Sequence, residues 1–576
     1  MRRITVGVRG TAKQGLPGPE EETMAFASVS DRYTKDQIAG FYAEGFWDKP
    51  TMFEVLEQQV ALRGDKVFIT DDSIGFTYRE ICDDAVRIAA GLSRLGVRRG
   101  DSVAIQIPSW AEFAALSMAI NRLGAVIVPA QPIYRTDEIG HMISTAGVKV
   151  AFTAAEYRGF DHAGMWRDFM DSAPSLEHVV TIRGAGPEGT QTLESLVDAV
   201  PVESARGELP AGGGPDDPFA MVFTSGTTSQ AKGCLHTFNT MATSARIQAE
   251  NYRYTENDVQ FGPSPVTHTT GLVTSIILPL LAGAATHVME RWNPELALEQ
   301  ISEHGCTVTV NASTFLQTLL EAYDPERHDA STMRVWTLAG APIPASLVEK
   351  ARRALPNLSV LSLYGRTENT SMAMCTLDDD PERSLTSDGR AFRGQEIVIL
   401  GPGDEVLPPG QEGEIAFRGS MVLLEYVGEP EKTAESFTAD GYSKSGDLGI
   451  LDEAGYLRVT GRLKDIIIRG GYNISVRQVE DLLAAHESVG KVAVVAMPDE
   501  TMGERACCFL VPAAGHDPLT LDEIRDYLLG KGLAIQKVPE RLEIVDEVPT
   551  TPTGKIQKNV LRTHIAKKLS GTQAIV

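Results

Sequence analysis

From Met52 to about Val180 the apolar positions of the chain switch repeatedly between helical and strand-like spacing. Glu80 to Leu95 carries apolar side chains three and four residues apart, the stripe of a helix with one buried face. Val103 to Ile107 is a short, mostly apolar run, as in a strand covered on both faces. A second helical stretch, Trp110 to Leu123, leads to a second strand, Ala125 to Val128, which Pro129 and Pro132 close. Strands alternating with helices of these lengths predict an α/β fold with a doubly wound, largely parallel sheet. The alternation resumes from Met241 to about Ile399, so a second such unit is expected. Residues 184–218, rich in Gly, Pro and acids and including Gly212-Gly213-Gly214, read as a surface connection between the two.

The texture changes at about Gly401. Short strands with frequent glycine, as in Gly413-Glu414-Ile415-Ala416-Phe417-Arg418-Gly419, predict an antiparallel, β-barrel-like subdomain up to Val459. After it, the segments Val479 to Ala485, Val492 to Ala496, Cys507 to Val511 and Leu521 to Leu529 read as a separate small α+β domain. The expected division is a disordered extension over residues 1–24, an N-terminal domain over 25–461 and a C-terminal domain over 462–576. The extension is polar and Gly/Pro-containing, ends in Glu20-Glu21-Glu22, and equally reads as sequence upstream of a start at Met24.

Composition narrows the function classes. At 576 residues the chain is too long for one core. Its net charge of −24, from 53 basic and 77 acidic residues, argues against a nucleic-acid partner. A polyanionic substrate would therefore have to be met by local cations rather than by the overall field. The six cysteines form no CxxC pair and read as reduced thiols of a cytoplasmic protein. The most apolar segment, Gly271 to Ala285, is shorter than the ~20 residues of a membrane span and reads as a buried helix, so no transmembrane segment is expected.

Candidate chemistry begins with Thr224-Ser225-Gly226-Thr227-Thr228-Ser229-Gln230-Ala231-Lys232-Gly233, which follows the apolar run Phe219 to Phe223. Hydroxyls, glycine N–H groups and one Lys are what a phosphate chain needs, although a solvated turn has the same composition. The Gly-Lys-Ser/Thr ending of a Walker loop is missing. Tyr364-Gly365-Arg366-Thr367-Glu368 ends another apolar run and puts a ring, a hydroxyl and a hard oxygen ligand at a strand's carboxyl end, where open sheets bind ligands. Glu368 could hold Mg²⁺, or simply begin a helix. In Ser445-Gly446-Asp447 the carboxylate could accept both ribose hydroxyls, or close an ordinary turn. Gly461-Arg462-Leu463-Lys464-Asp465, then a strand and Gly470-Gly471-Tyr472-Asn473, has the form of a hinge joined to a hairpin. Pro549-Thr550-Thr551-Pro552-Thr553-Gly554-Lys555 is a rigid turn that presents one Lys, or the start of a basic tail.

Each stretch alone is weak to moderate evidence. In this order and spacing, together with Pro265-Val266-Thr267-His268-Thr269-Thr270-Gly271 and Ala339-Gly340-Ala341-Pro342, they resemble the acyl-adenylate-forming (AMP-binding) superfamily of acyl- and aryl-CoA synthetases, adenylation domains and luciferases. The resemblance runs from about Met52 to Arg562. It implies ATP, Mg²⁺ and coenzyme A as cofactors and a two-step reaction on a small carboxylic acid. The acid attacks the α-phosphorus of ATP to give an acyl-adenylate and pyrophosphate, and a thiol then displaces AMP. It further implies that Thr224, Ser225, Gly226, Thr227, Thr228 and Lys232 wrap the β- and γ-phosphates. Tyr364 and Gly365, with Gly340 and Ala341, would hold adenine; Thr367 the α-phosphate; Glu368 the metal; Asp447 and Arg462 the ribose. Lys555 would bridge the carboxylate and α-phosphate, and His268 would gate the acid or orient the thiol. The small domain would be mobile, turning about Lys464 to withdraw Lys555 and bring Gly470 and Gly471 to the pantetheine channel.

The chain departs from the commonest pattern at Ser229, at Gln230-Ala231, at Arg366, at Ser475-Val476 and at Gln478, and none of these removes a group the mechanism needs. The acid pocket is expected from Thr269 to Ile277, Val310 to Thr318, Ala339 to Pro342 and Asn369 to Met374. These are mostly small or apolar, which suits a fatty, alicyclic or aromatic monocarboxylate. An acid–CoA ligase is the first expectation. An adenylating enzyme that loads an acyl carrier protein, and a non-catalytic nucleotide-binding protein, are the alternatives; a homodimer stays open.

Overall fold

The computed structural model describes residues 26–197, 201–224, 231–340, 343, 345–551 and 555–570. The expected extension over 1–24 lies outside them. Two large sheets form the body. The first has eight strands in the order Glu425–Tyr426, Gly233–Thr237, Pro218–Phe223, Val126–Pro129, Ser102–Gln106, Val148–Ala154, His178–Ile182, Gln191–Thr192. From Pro218–Phe223 onward its neighbours run parallel, while the two strands at the other edge pair antiparallel. The second has nine, and its parallel centre runs Ser359–Tyr364, Val335–Ala339, Val308–Asn311, Val259–Gly262, Ala285–Val288, Val67–Thr70.

The sheets exchange strands, which the order of elements does not reveal. Val67–Thr70 and Gly75–Thr77, early in the chain, complete the second sheet, and Pro218–Phe223, Gly233–Thr237 and Glu425–Tyr426 complete the first. One continuous hydrophobic core joins both sheets, from Phe46 and Trp47 through Ile105 and Val222 to Leu363 and Leu423. The two sheets therefore share one core under the site.

The local elements follow from the sequence. The helix Tyr78–Arg94 starts at a reciprocal cap, in which Glu80 N–H donates to Thr77 Oγ1 at 3.2 Å and Thr77 N–H to Glu80 Oε2 at 2.7 Å. Its buried face includes Ile81, Val86, Ile88 and Leu92, each worth ~1.5–3 kcal/mol of burial. The apolar stretch after Gly271 is buried helix, as expected, but Leu272–Ile277 is wound as a π-helix before Leu278–Ala282 resumes α geometry. Among the described residues no helix is long and apolar enough to cross a membrane.

Gln395–Leu400, Gly413–Gly419, Ser443–Leu451 and Leu457–Arg462 form a four-stranded antiparallel sheet in that order. The last segment is an α+β unit of five strands. Its long antiparallel hairpin, Val489–Asp499 with Gly503–Pro512, is covered on one face by Val476–Ala484 and Leu521–Gly530 and on the other by Lys558–Leu569. All six cysteines are buried and unpaired.

Candidate functional site

Four pieces of the fold converge on one groove. The first is the hairpin of Pro218–Phe223 and Gly233–Thr237, in register with Phe223 opposite Gly233. Its connection is closed at the base: Thr224 N–H donates to the Lys232 carbonyl at 3.0 Å, and Lys232 N–H to Thr224 Oγ1 at 3.2 Å. Ser225, Gly226, Thr227 and Thr228 lie outside the described residues. Lys232 Nζ stands 4.2 Å from the centre of the Tyr426 ring, and burial lowers its pKa.

The second piece is a pair of parallel strand ends. Ala339 pairs with Leu363, so Gly340 and Tyr364 emerge side by side at the carboxyl edge of the second sheet. Gly340 holds φ at +79°, a left-handed conformation that glycine adopts without strain, and a side chain there would begin 3.0 Å from Lys555 Cε. Ala341 lies outside the described residues. At Gly365 a side chain would overlap the Thr370 carbonyl. Gly365→Ala is therefore expected to cost ~1–3 kcal/mol and displace Tyr364, read as a lower thermal midpoint together with weaker nucleotide binding.

The turn after Tyr364 brings Thr367 and Glu368 inward. His236 Nε2–H donates to the Thr367 carbonyl at 2.8 Å, and burial pushes this imidazole down to about 4, so it stays neutral and pins the turn. Glu368 is buried, and its Oε1 accepts from Arg366 Nη2 at 2.8 Å and from the Tyr426 hydroxyl at 2.9 Å. Burial alone would raise its pKa; the Arg366 guanidinium, the Tyr426 hydroxyl and Lys232 outweigh that and hold it below the ordinary carboxylate value. An ionised carboxylate whose Oε2 receives no side chain among the described residues fits a hard divalent cation that takes its other oxygens from phosphates.

The third piece is the antiparallel sheet, where Asp447 pairs across strands with Arg462. Asp447 Oδ1 meets Arg462 Nε at 3.0 Å, and Oδ2 accepts the Tyr364 hydroxyl at 2.6 Å. Each oxygen keeps lone-pair capacity for a sugar hydroxyl. Ser445 Oγ fixes the backbone by accepting from Asp447 N–H at 3.0 Å.

The fourth is Lys555, from the small domain. Thr551 N–H donates to the Lys555 carbonyl at 2.7 Å, and Lys555 N–H to Thr551 Oγ1 at 3.1 Å, so the turn presents the side chain like a finger. Its Nζ sits 3.5 Å from where a Gly340 side chain would begin. Burial and the neighbouring Arg462 pull the ammonium down to about 8 against the opposing pull of Asp447 and Glu368. His268 faces the same space. Its Nδ1 accepts from Thr270 N–H at 3.2 Å, and burial together with Lys555 takes it down to about 4. It is therefore neutral, with Nε2–H left as donor.

Beneath lies a cavity of about 270 Å³, counting its open mouth. Val273, Val310, Ala339 and Leu363 give apolar wall, while Gln248, Thr270, Thr274 and Ser371 give hydroxyl and amide wall, and among the described residues no charged side chain lines it. Gln248 Nε2 donates to Ser244 Oγ at 3.0 Å and Ser371 Oγ at 3.3 Å, so this polar wall is braced. The π-wound turn carries Val273 and Thr274 into the wall.

Lys232, Tyr364, Thr367, Glu368, Asp447, Arg462, Gly340, His268 and Lys555 thus share one groove. Lys464 lies in the short 3₁₀ turn Leu463–Asp465 at the domain boundary, where its carbonyl accepts from Arg562 at 2.9 Å. Gly470 and Gly471 do not join the site. They form the two-residue turn of the hairpin Ile467–Arg469 with Tyr472–Ile474, Gly470 next to Met502 and Gly471 exposed with nothing within 4 Å. Tyr426, His236 and Gln248 belong to the site although no motif marks them; only the strand exchange and the helix before the cavity bring them in.

Two family models match the chain: AMP-binding enzyme over residues 56–427 and AMP-binding enzyme C-terminal domain over 478–555. It is 32% identical to the medium-chain fatty-acid–CoA ligase of Escherichia coli (strain K12), over 94% of this chain and 95% of that protein. It is 30% identical to the 2,3-dihydroxybenzoate-AMP ligase of Bacillus subtilis (strain 168), over 93% and 97%. The solved structure of ATP-bound MatB from Rhodopseudomonas palustris superposes with a TM-score of 0.80 at 28% identity, covering 90% of this chain and 99% of that one.

Proposed function

The chain belongs to the AMP-binding, acyl-adenylate-forming enzyme family, whose members use ATP and Mg²⁺, and on that premise we propose that it is a carboxylic acid–CoA ligase. The observation that carries the reading is Lys555: its side chain reaches Gly340 from the small domain, within electrostatic range of the Arg462–Asp447 pair and of His268.

The first step joins two anions, so catalysis is positioning and charge neutralisation. Asp447 accepts the ribose hydroxyls, with Arg462 and Tyr364 fixing its two oxygens. Tyr364 and the backbone at Gly340 bound the adenine, and Thr367, held by His236, meets the α-phosphate. Lys232 and the loop it closes neutralise the β- and γ-phosphates. Glu368 is the residue that would hold Mg²⁺, and the ion supplies charge neutralisation at the phosphates. A carboxylate oxygen then attacks the α-phosphorus, the bond to pyrophosphate breaks, and Lys555 offsets the charge between the two anions. In this reading His268 Nε2–H orients the acid. In the second step a thiol sulfur attacks the acyl carbonyl and AMP leaves; Gly470 and Gly471, exposed here, would line its approach after the small domain turns about Lys464.

The uncharged wall of the cavity supports a monocarboxylate with a fatty, alicyclic or aromatic acyl group. Buried, unpaired cysteines suit the reducing cytoplasm. A second reading, transfer to an acyl carrier protein, is supported by the relative named as an acid–AMP ligase. Pyrophosphate release across a panel of acids, followed by product mass with and without CoA, tests both. Acyl-CoA supports the first reading, adenylate that accumulates despite CoA supports the second, and no pyrophosphate with any acid overturns both.

A further inference from the structure

The groove contains a cation that the mechanism above does not use. Arg366 lies two residues before Glu368, and their side chains are 20% and 8% exposed. Its Nη2 donates to Glu368 Oε1 at 2.8 Å and its Nη1 to the Lys444 carbonyl at 3.3 Å, which braces the guanidinium between the turn and the antiparallel sheet. The same Oε1 already takes the Tyr426 hydroxyl, so the carboxylate is oriented by two donors and offers a metal only its other oxygen. A buried carboxylate without a counter-ion is costly, and Arg366 supplies one before any metal arrives. Arg366, Lys232, Arg462 and Lys555 together outnumber Glu368 and Asp447, so the groove is locally positive in a chain of net charge −24.

We propose that Arg366 is a resident counter-ion of the nucleotide site, a positioning residue that holds Glu368 and lets ATP bind with reduced dependence on a divalent ion. This rests on the nucleotide reading above. Arg366 and an incoming Mg²⁺ share one carboxylate and repel each other across it. The guanidinium therefore weakens the metal's hold on Glu368 while adding attraction for the triphosphate when no metal is present. Removing it should reverse both effects: ATP alone binds worse, and Mg²⁺ acts at lower concentration.

The test is calorimetric ATP affinity of the full chain in EDTA and across a Mg²⁺ titration, for the native protein, Arg366→Met and Arg366→Lys. In the native protein, metal-free ATP should bind within about tenfold of its affinity in saturating Mg²⁺. In Arg366→Met that ratio should widen by about tenfold or more, the half-effective Mg²⁺ concentration should fall, and Arg366→Lys should restore most of the native ratio. A purely structural clamp would lower affinity equally with and without Mg²⁺, and an unchanged ratio overturns the proposal. If Arg366→Met fails to fold, a native protein that binds ATP only with Mg²⁺ overturns it as well. A native protein that binds no ATP in either condition defeats the nucleotide reading instead.

Discussion

Lys555→Ala is expected to lower adenylation, read as acid-dependent pyrophosphate release, by about 10²–10³-fold, the loss typical of removing one preorganised charge-stabilising group. Conversion of a supplied acyl-adenylate and CoA to thioester should stay within a few-fold of native. The asymmetry follows from position. The ammonium stands near Gly340, where the proposed mechanism has carboxylate and α-phosphate meet, but it comes from the small domain, its backbone held by Thr551. In that mechanism a thiol reaches the same carbonyl, so Lys555 would leave before the second step. Equal loss of both half-reactions would sink domain alternation.

The same residue sets a pH dependence. Burial brings its ammonium down to about 8 in the free enzyme, and the protonated form is the one that neutralises charge. The kcat/KM of adenylation should therefore fall as pH rises through about 8, since that parameter reports free-enzyme ionisations. The thioester half-reaction should lack this limb. Lys555→Arg should move the limb out of range while retaining part of the activity.

Asp447→Ala should be the second large effect. One carboxylate serves as anchor for Tyr364 and as partner of Arg462, and in the proposed mechanism also accepts the ribose hydroxyls. Charged hydrogen bonds contribute about 1.5–3 kcal/mol each, so loss of both ribose contacts should weaken ATP binding by at least about 100-fold. Folding should suffer less, because Arg462 is half exposed and water can replace its lost partner. Isothermal titration with ATP, set beside the thermal midpoint, separates the two. A drop in stability with unchanged ATP affinity would remove Asp447 from the nucleotide site.

The motifs were legible in the sequence because each is contiguous. Tyr364, Thr367 and Glu368 fall in one turn, and a strand ending in that turn is readable from its apolar run alone. The cavity wall was legible in the same way: Thr269, Thr270, Val273, Val310, Ala339 and Ser371 all lie in the expected stretches. Tyr426 was not legible. It lies about sixty residues from Glu368 in sequence, on a two-residue strand that joins the first sheet only through the exchange. Gln248 likewise looks like one more polar position of a helix until its amide is seen to brace Ser371.

By itself the sequence determined the α/β repeat, the change to antiparallel strands and the family the motifs point to, because helical and strand periods and short motifs are local properties of a chain. Tertiary structure alone decided which sheet each early strand joined, and it aimed Lys555 at Gly340 while leaving Gly470 and Gly471 in the open. It also set Arg366 on Glu368. Those outcomes depend on long-range packing and on which charges end up buried together, and neither is written in the spacing of residues along the chain.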